Sequence, residues 1–349
     1  MNASTQAGGA DAARTVSFTL APPQPFRLDL TAMALQRRRN NQIDVWDGVT
    51  LRRVLPATAS SGALTGPFLL EVTSAVGADA TSGARSAGDA PLTRALRVSV
   101  TATGASEAAM ALGGERAVRD LLGTDVDLTG FYALAAADPH LAPLAGRLRG
   151  LKPPRYPGLF EGLLNAVPCQ QVTLTFGLQL VARLARAYGP RLPFAPTGTD
   201  AGPLALPTAE GLAGAAAEEL GAMGFSRAKA RTLIELAGKI VSGKLDIAGV
   251  ASAADAEVAQ RLGGLFGVGR WTSEYVLLRA LGRLGVFPHG DSGARNGLAR
   301  FLGEEGKPSY AWVAERVAAW QPYAGFVYLH LLVDGATRAD AAGELHALG

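Results

Sequence analysis

The sequence has few of the side chains that build disulfide-linked or metal-dependent sites. Its 349 residues include one cysteine, Cys169, and four histidines that are scattered along the chain. A single thiol cannot form an intramolecular disulfide, and it cannot supply the four thiolates of a structural zinc site or an iron–sulfur cluster. The sequence therefore predicts a protein that works without a required cofactor and without an iron–sulfur cluster.

Long hydrophobic runs are also missing. No stretch approaches the roughly 20 uninterrupted apolar residues that a membrane span needs. The N-terminal stretch MNASTQAGGADAARTVSF lacks the basic and apolar regions of a signal peptide. Together with the single cysteine, this predicts a cytoplasmic protein that has no membrane partner.

Charged residues are few, at 18% of the chain, whereas hydrophobic residues make up 48%. This composition is typical of packed globular structure, and the length leaves room for two or three domains. The net charge of +3 says little about partners, but its distribution is uneven. Residues 261–300 contain six arginines and only two acidic residues, which predicts a positive electrostatic potential around that segment.

The N-terminal third has mixed character. Residues 1–24 are polar and rich in Ala and Gly, and predict a flexible tail. Residues 25–112 carry a helical pattern near 30–38 and three alternating stretches, which predict an α+β domain with an antiparallel sheet. Within it, about 74–91 is rich in Gly, Ala and Ser and is interpreted as a mobile loop inserted in a hairpin.

Strand signals nearly vanish over residues 113–349. Apolar residues recur there at helical spacing, and Pro and Gly interrupt the pattern at LKPPRYPG, at GPRLPFAPTGTDAGPLALPT and at HGDSG. The predicted fold class is therefore an α+β N-terminal domain followed by a mostly α-helical body in two parts.

The most informative stretch is FGVGRWTSEY. Gly267 and Gly269 are predicted to turn the backbone with positive φ and to expose successive amide N–H groups. A helix that opens at Arg270 or Trp271 would then present free N–H groups that favour a phosphate. The side chains of Arg270 and Thr272 are placed to add donors. Taken alone, the stretch is as well explained by a simple connection between two helices.

A single acid, Asp291, follows twenty residues after Trp271 in the stretch VFPHGDSGARNGL. Its position before a helical pattern is typical of a helix N-cap, which accepts N–H bonds from the turn that it begins. Such bonds also stabilise the ionised form of a carboxylate. The capping role is therefore compatible with a catalytic one.

These features together resemble the HhH-GPD superfamily of DNA glycosylases, whose signature is a helix-hairpin-helix, a Gly/Pro-rich loop and an aspartate. The chain most resembles the 3-methyladenine DNA glycosylase II (AlkA-type) branch. Further segments resemble the family in order: PFRLDLTAMALQRRRNNQIDVWDG, LFEGLLNAVPCQQVT, LGAMGFSRAKARTLIELA and YAGFVYLHLL. The resemblance covers about residues 24–336 and places the hairpin at 262–276 and the loop with its aspartate at 286–291.

The resemblance implies a monofunctional glycosylase that flips an alkylated base and hydrolyses its N-glycosidic bond in base excision repair. Asp291 matches the catalytic aspartate, which would stabilise an oxocarbenium-like transition state and orient a water. Trp271 stands where strand-cleaving relatives have a nucleophilic lysine, so no AP lyase activity is expected. The expected partner is damaged double-stranded DNA, bound by a monomer.

The resemblance also implies roles for the remaining site residues, through the positions that match the family motifs. Trp271 and Tyr275, four apart on one side of a helix, would form a wall of the base pocket and attract a cationic base. Gln170 and Leu332 would complete the pocket, and Gln171 would fill the gap left by the flipped nucleotide. The residues expected at the phosphate are Gly267, Gly269, Arg270, Thr272 and Arg295. The backbone expected to bind a monovalent cation, Na⁺ or K⁺, is that of Gly263, Leu265 and Val268.

Three positions depart from the family pattern. Gln171 stands where leucine is frequent, and Leu332 and Ala34 stand where aromatics are expected, which predicts weaker stacking or a shifted choice of substrate. Two alternative functions stay open: a glycosylase for oxidised purines such as 8-oxoguanine, and a non-catalytic HhH protein that binds DNA. The missing hairpin lysine counts against the first, and Asp291 counts against the second.

Overall fold

The computed structural model of this protein describes residues 12–56, 64, 66–75, 91–194, 202–306 and 308–341. Most of the loop predicted at about 74–91 lies outside these residues, as does the start of the predicted tail, residues 1–11. The described part has one antiparallel sheet near its N-terminus and is mostly helical thereafter, which confirms the predicted fold class.

The sheet has five strands in the spatial order β1-β5-β4-β3-β2. The strands are β1 (Arg14–Leu20), β2 (Val45–Trp46), β3 (Thr50–Leu55), β4 (Phe68–Ser74) and β5 (Leu96–Ala102). Alternation of apolar and polar residues shapes them: in β5, Val98 and Val100 are buried and Arg97 is exposed. The register sets Val100 opposite Leu70 of β4, so apolar side chains of neighbouring strands share one face.

Strand β1 corrects the prediction that residues 1–24 form a flexible tail. It pairs along its whole length with β5, with Val16 opposite Val100 and Phe18 opposite Val98. Val16 and Phe18 also pack against the buried core of the sheet. The segment was difficult to predict because its alternation includes only three apolar residues and its surroundings are polar and rich in Ala and Gly. It forms a strand because it pairs with β5, and this pairing cannot be inferred from the local composition.

Fifteen helices lie in the described part of the chain, and only the first of them precedes the end of the sheet. They are α1 (Leu28–Gln36), α2 (Glu107–Leu122), α3 (Thr129–Ala137), α4 (Leu141–Arg147), α5 (Leu159–Ala166), α6 (Leu174–Tyr188), α7 (Ala209–Ala213), α8 (Ala217–Ala222), α9 (Arg227–Val241), α10 (Ile247–Ser252), α11 (Asp255–Gly263), α12 (Arg270–Arg279), α13 (Ser292–Leu302), α14 (Tyr310–Ala318) and α15 (Ala324–Ala341). Within the described ranges, none of them has both the length and the apolar character of a membrane span.

The sheet and the helical body share one hydrophobic core. A single cluster of buried side chains contains Leu70 of β4, Val98 of β5, Val118 of α2, Leu163 of α5 and Val276 of α12. Removing this apolar surface from water stabilises the junction between the two regions. The helix that follows the hairpin therefore shares its core with the N-terminal sheet.

A buried ion cluster reinforces the same junction. Arg53 of β3 is 1% exposed and donates hydrogen bonds to Asp44 and to Glu161 of α5. Burial raises the pKa of Glu161 despite the neighbouring guanidinium. Loss of one partner would leave an unpaired buried charge, so the cluster fixes how β3 meets α5.

Helix α1 of the N-terminal region packs against the helical body. Its buried residues Leu30 and Ala34 belong to a second core cluster with Leu298 of α13 and Phe326 of α15. The helix ends at Arg37, whose φ of 64° is left-handed. This turn leaves the Arg37 side chain at the rim of a large cleft.

Candidate active site

The hairpin between α11 and α12 is built around Gly267. This residue has a φ of +73°, and a Cβ added to it would lie 1.9 Å from Thr232 Oγ1 of α9, so only glycine fits. Gly269 has an extended backbone with a φ of −94°, which corrects the prediction of positive φ at both glycines. Because Gly269 is the N-cap of α12, it needs extended dihedral angles, and α12 opens at Arg270 as predicted.

The N-terminus of α12 lacks the side-chain cap that α9, α13 and α14 have. Ser226, Asp291 and Ser309 each accept an amide hydrogen bond at the starts of α9, α13 and α14. Gly269 has no side chain to do so, and no side-chain cap is made at α12. The first amide groups of α12, together with the positive end of the helix dipole, therefore form an anion site.

Arginines near the hairpin are distributed unevenly. Arg270 and Arg295 both stack on the ring of Tyr310, with guanidinium carbons 5.3 and 5.2 Å from its centroid. Arg279, by contrast, is fully buried and donates to the Ala34 carbonyl. The predicted positive field between residues 261 and 300 is thus weaker than the composition indicates, since Arg261 and Arg283 are also paired with acids.

A cleft of about 1550 Å³ lies between the hairpin, the end of α1, the start of α13 and helix α15. Nearly all of the predicted site residues line it: Gln170, Gln171, Gly263, Leu265, Gly267, Val268, Gly269, Arg270, Trp271, Thr272, Tyr275, Asp291 and Leu332. The exception is Arg295, which lies behind Tyr310. The fold therefore brings together residues that are up to 162 positions apart in the sequence, from Gln170 to Leu332.

Asp291 lies in this cleft as the N-cap of α13. Its Oδ1 accepts a hydrogen bond of 2.9 Å from the Ala294 amide, and its Oδ2 accepts one of 3.1 Å from the Tyr328 hydroxyl. Burial, together with the Asp291 charge, raises the pKa of Tyr328 well above its usual range, so this hydroxyl stays protonated and donates. The carboxylate is thus held in one orientation while each oxygen keeps a further lone pair.

Trp271 and Tyr275 form one wall of the cleft. Their ring centroids are 5.5 Å apart and their planes differ by 33°. The Tyr275 hydroxyl accepts a 2.9 Å hydrogen bond from Arg37 Nη1 and shares another of 2.9 Å with Tyr156. Burial raises the pKa of Tyr275, so it remains a neutral phenol.

The loop that carries Asp291 is pinned to α12. Glu274 accepts hydrogen bonds from the His289 amide at 2.9 Å and from Arg270 Nε at 2.8 Å. Burial opposes ionisation of Glu274, but the side chains of His289 and Arg270 outweigh it and lower the pKa of Glu274. A Cβ on Gly290 would lie 2.7 Å from Trp271 Cβ, so this glycine allows the loop to pack against the wall of the cleft.

A family model described as HhH-GPD superfamily base excision DNA repair protein matches residues 164–322, a region that includes the hairpin and Asp291. Residues 164–322 therefore correspond to an HhH-GPD domain. It is 28% identical over 207 residues to a DNA-3-methyladenine glycosylase of Bacillus subtilis, which covers 59% of this chain and 67% of the relative. It is 30% identical over 202 residues to DNA-3-methyladenine glycosylase 2 of Escherichia coli, which covers 56% of this chain and 66% of the relative.

Solved structures of the HhH-GPD type share the fold. A 3-methyladenine DNA-glycosylase from Archaeoglobus fulgidus superposes with a TM-score of 0.69 over 90% of this chain and 97% of that chain, at 20% sequence identity. At this identity the likeness shows the fold alone. The chain spans between 41% and 67% of the length of the curated relatives that it matches.

Two of the predicted site residues, Gln170 and Thr272, form a hydrogen bond with each other. Gln170 was expected in the base pocket and Thr272 at the phosphate, but Gln170 Nε2 donates to Thr272 Oγ1 and to the Gly267 carbonyl, both at 2.9 Å. Thr272 lines the cleft but is only 1% exposed, and its contact with a phosphate stays a prediction. Their hydrogen bonds tie the segment 170–173 to the hairpin.

The tip of the segment 170–173 is the predicted wedge. Gln171 is exposed and has a left-handed φ of 54°, and the next residue, Val172, is also exposed at 37%. This arrangement projects a polar and an apolar side chain from a segment that Gln170 and the Thr173 N-cap of α6 anchor on both sides. The exposed Val172 beside the predicted wedge was not singled out from the sequence.

Three further residues of the cleft were not predicted from the sequence: Arg37, Glu274 and Tyr328. Each acts on the cleft through a contact between elements that are distant in the sequence. A weak signal existed for Glu274, whose position four residues after Arg270 permits a helical ion pair. No local pattern marks Arg37 or Tyr328, because their roles depend on how α1 and α15 pack.

Proposed function

We propose that this chain is a DNA glycosylase that excises alkylated bases of the 3-methyladenine type from double-stranded DNA and so begins base excision repair. The observation that carries the proposal is Asp291, a carboxylate held by an amide and a hydroxyl in the same cleft as the aromatic wall of Trp271 and Tyr275. The names of its bacterial relatives support the substrate class. Because the substrate is DNA and one chain supplies every group, we propose a cytoplasmic monomer.

DNA binding would start at the hairpin. The uncapped amides of α12 and the exposed guanidinium of Arg270 supply donors and positive charge for a backbone phosphate. The exposed side chains of Gln171 and Val172 would enter the duplex and occupy the space that the flipped nucleotide leaves. The flipped base would then stack against Trp271 and Tyr275.

Asp291 would act during cleavage of the N-glycosidic bond. As the bond between C1′ and the base nitrogen breaks, the electron pair leaves with the base and positive charge develops on the sugar. The ionised carboxylate stabilises this charge, and a water adds to C1′ and gives up its proton. Tyr328 keeps Asp291 in place and therefore acts as a positioning residue.

We further propose that the enzyme has no AP lyase activity. The indole of Trp271 cannot attack C1′ as an amine, and a lyase needs such a nucleophile. Lys229 is the one lysine among the described residues that line the cleft, and its Nζ donates to the Pro168 carbonyl at 2.9 Å. Burial lowers the pKa of Lys229, so this residue is the one to test if strand cleavage is found.

A monovalent cation at the hairpin is also proposed. Gly263, Leu265 and Val268 border the cleft, and backbone oxygens are suitable ligands for a hard cation. The Leu265 carbonyl already accepts a hydrogen bond of 3.2 Å from the Val268 amide, but a carbonyl oxygen has a second lone pair. A bound cation would hold the turn and strengthen the phosphate contact.

The test is an incubation of the protein with duplexes that carry 3-methyladenine, hypoxanthine or 8-oxoguanine. Base release is measured directly, and strand breaks are compared with and without alkali. We expect release of 3-methyladenine and strand breaks only after alkali.

The other outcomes are equally informative. Strand breaks without alkali, together with borohydride trapping, would contradict the monofunctional proposal. Release of 8-oxoguanine alone would assign the protein to oxidised purines. Binding of all three duplexes without any base release would show a DNA-binding protein that lacks the proposed activity.

A further inference from the structure

The side chain of Gln170 connects the hairpin to the exposed tip, which consists of Gln171 and Val172. Gln170 Nε2 donates to the Gly267 carbonyl and to Thr272 Oγ1, both at 2.9 Å, so both of its amide protons are used. Because the Gly267 carbonyl can only accept, the amide nitrogen of Gln170 must point at the hairpin. One side chain therefore joins two elements that would contact DNA.

The backbone of the tip needs support from its surroundings. Gln171 has a left-handed φ of 54°, and within the described residues Arg37 is the only other non-glycine residue with a positive φ. A side chain strains such a backbone, and the strain persists where neighbouring contacts fix the chain on both sides. The position of the tip is therefore set by the contacts of the residues that flank it.

Those contacts come from both sides of the tip. Before it, Lys229 Nζ of α9 donates to the Pro168 carbonyl at 2.9 Å. After it, Thr173 caps α6 by accepting a hydrogen bond from the Phe176 amide. Among these anchors, Gln170 is the residue next to the tip, and its side chain is the one that reaches the hairpin.

The hairpin end of this connection is rigid. Thr272 is 1% exposed, and Gly267 packs so closely against Thr232 of α9 that a Cβ would not fit. A hairpin held on a backbone phosphate would therefore hold Gln170 as well. Since both amide protons of Gln170 are used within the protein, only its Oε1 is left for contact with a base.

On the basis of the proposed glycosylase function, we propose that Gln170 is a positioning residue that couples the hairpin to the tip and thereby supports base flipping. Its two hydrogen bonds hold Gln171 in the left-handed conformation while the hairpin holds the DNA backbone. Without them the turn relaxes, and the side chains of Gln171 and Val172 no longer fill the gap in the duplex.

This role differs measurably from a contact between Gln170 and the base. Extrusion of a base costs less when the base has no partner on the opposite strand. A residue that acts through the tip therefore matters most for a paired base, whereas a residue of the base pocket matters equally for paired and unpaired bases.

The test compares Gln170→Leu with the wild type in single-turnover release of 3-methyladenine at saturating enzyme. The base lies opposite thymine in one duplex and opposite an abasic analogue in the other. We expect release opposite thymine to fall by about tenfold or more, as for loss of two hydrogen bonds, and release opposite the analogue by less than about threefold. The fluorescence of 2-aminopurine beside the lesion, which rises on unstacking, should also be lower in the variant.

Gln24→Leu is the matched control. Gln24 Nε2 also donates to two acceptors, the backbone carbonyls of Pro22 and Thr93, both at 3.0 Å, and Gln24 does not line the cleft. This variant should release the base from both duplexes at wild-type rates. If Gln170→Leu does not fold, Thr272→Val removes one of the two acceptors and decides by the same ratio of rates.

Equal losses from the two duplexes would place Gln170 in the base pocket and overturn the inference, and so would wild-type rates from both. A wild type that releases 3-methyladenine from neither duplex refutes the proposed function itself, which separates the two failures.

Discussion

At the residue scale, Tyr328 is the side chain that most directly constrains Asp291. Its hydroxyl lies 3.1 Å from Asp291 Oδ2, and the ring is buried among Phe287 and its neighbours. A buried tyrosine with a raised pKa can only donate to this carboxylate. We infer that Tyr328 fixes the carboxylate rotamer and contributes a hydrogen bond to the ionised form.

The substitution Tyr328→Phe removes this hydrogen bond and leaves the packing intact. We expect base release to slow by about 5- to 20-fold, as for loss of one hydrogen bond to a charged group. Affinity for DNA with an abasic site should stay unchanged.

Tyr132→Phe provides the control, because Tyr132 OH accepts a hydrogen bond from the Gly150 amide outside the cleft. It should leave the rate of base release as in the wild type. A wild-type rate in Tyr328→Phe would mean that the hydroxyl does not act through Asp291.

Single residues also show the limits of prediction from sequence. Trp271, Tyr275 and Asp291 belong to motifs with fixed spacing, and the structure places all three in the cleft. Arg37 and Tyr328 reach the same cleft from α1 and α15, which are close only after folding. The hydrogen bond between Thr272 and Gln170 could not be predicted, because Gln170 is 102 residues earlier in the chain.

At the element scale, the hairpin depends on the different backbone conformations of its two glycines. Gly267 takes the left-handed turn against Thr232 of α9, whereas Gly269 starts α12 without a side-chain cap. The sequence indicated that both glycines are important but not which of them takes the left-handed conformation, because glycine adopts left-handed and extended conformations about equally well. Their different φ values follow from the contact with α9.

Gly267→Ala should displace the hairpin. A Cβ would meet Thr232 Oγ1 and would also hold alanine in a left-handed conformation that costs about 1 kcal/mol. We expect DNA affinity to fall and the salt dependence of binding to become shallower, because a phosphate contact is lost. Binding is measured by fluorescence anisotropy at several salt concentrations.

Gly238→Ala is the matched control in this case, since Gly238 lies within α9 and a Cβ there meets nothing within 4 Å. This variant should bind DNA as the wild type does. Wild-type affinity and salt slope in Gly267→Ala would show that the hairpin does not hold a phosphate.

At the scale of the whole molecule, the cleft depends on the junction between the sheet and the helical body. The shared core and the Arg53 cluster fix that junction, and α1 crosses it to bring Arg37 beside Tyr275. The order of sheet and helices was predictable from hydrophobic periodicity, which is a local property. The edge strand β1 and the shape of the cleft were not, because they depend on pairing and packing between distant segments.

The central claim is that Asp291 supports bond cleavage while other groups hold the DNA. Asp291→Asn tests it most directly, because asparagine keeps the shape and can still cap α13 but has no charge. Asp246→Asn serves as control, since Asp246 caps α10 in the same way, with Gly249 N at 3.0 Å from its Oδ1, and does not line the cleft.

The measurement is single-turnover release of 3-methyladenine beside the affinity for the same duplex. For Asp291→Asn we predict a fall in release of at least about 100-fold with affinity retained, and for Asp246→Asn wild-type values of both. Release by Asp291→Asn at a rate near that of the wild type would contradict the assignment of Asp291 and with it the proposed mechanism.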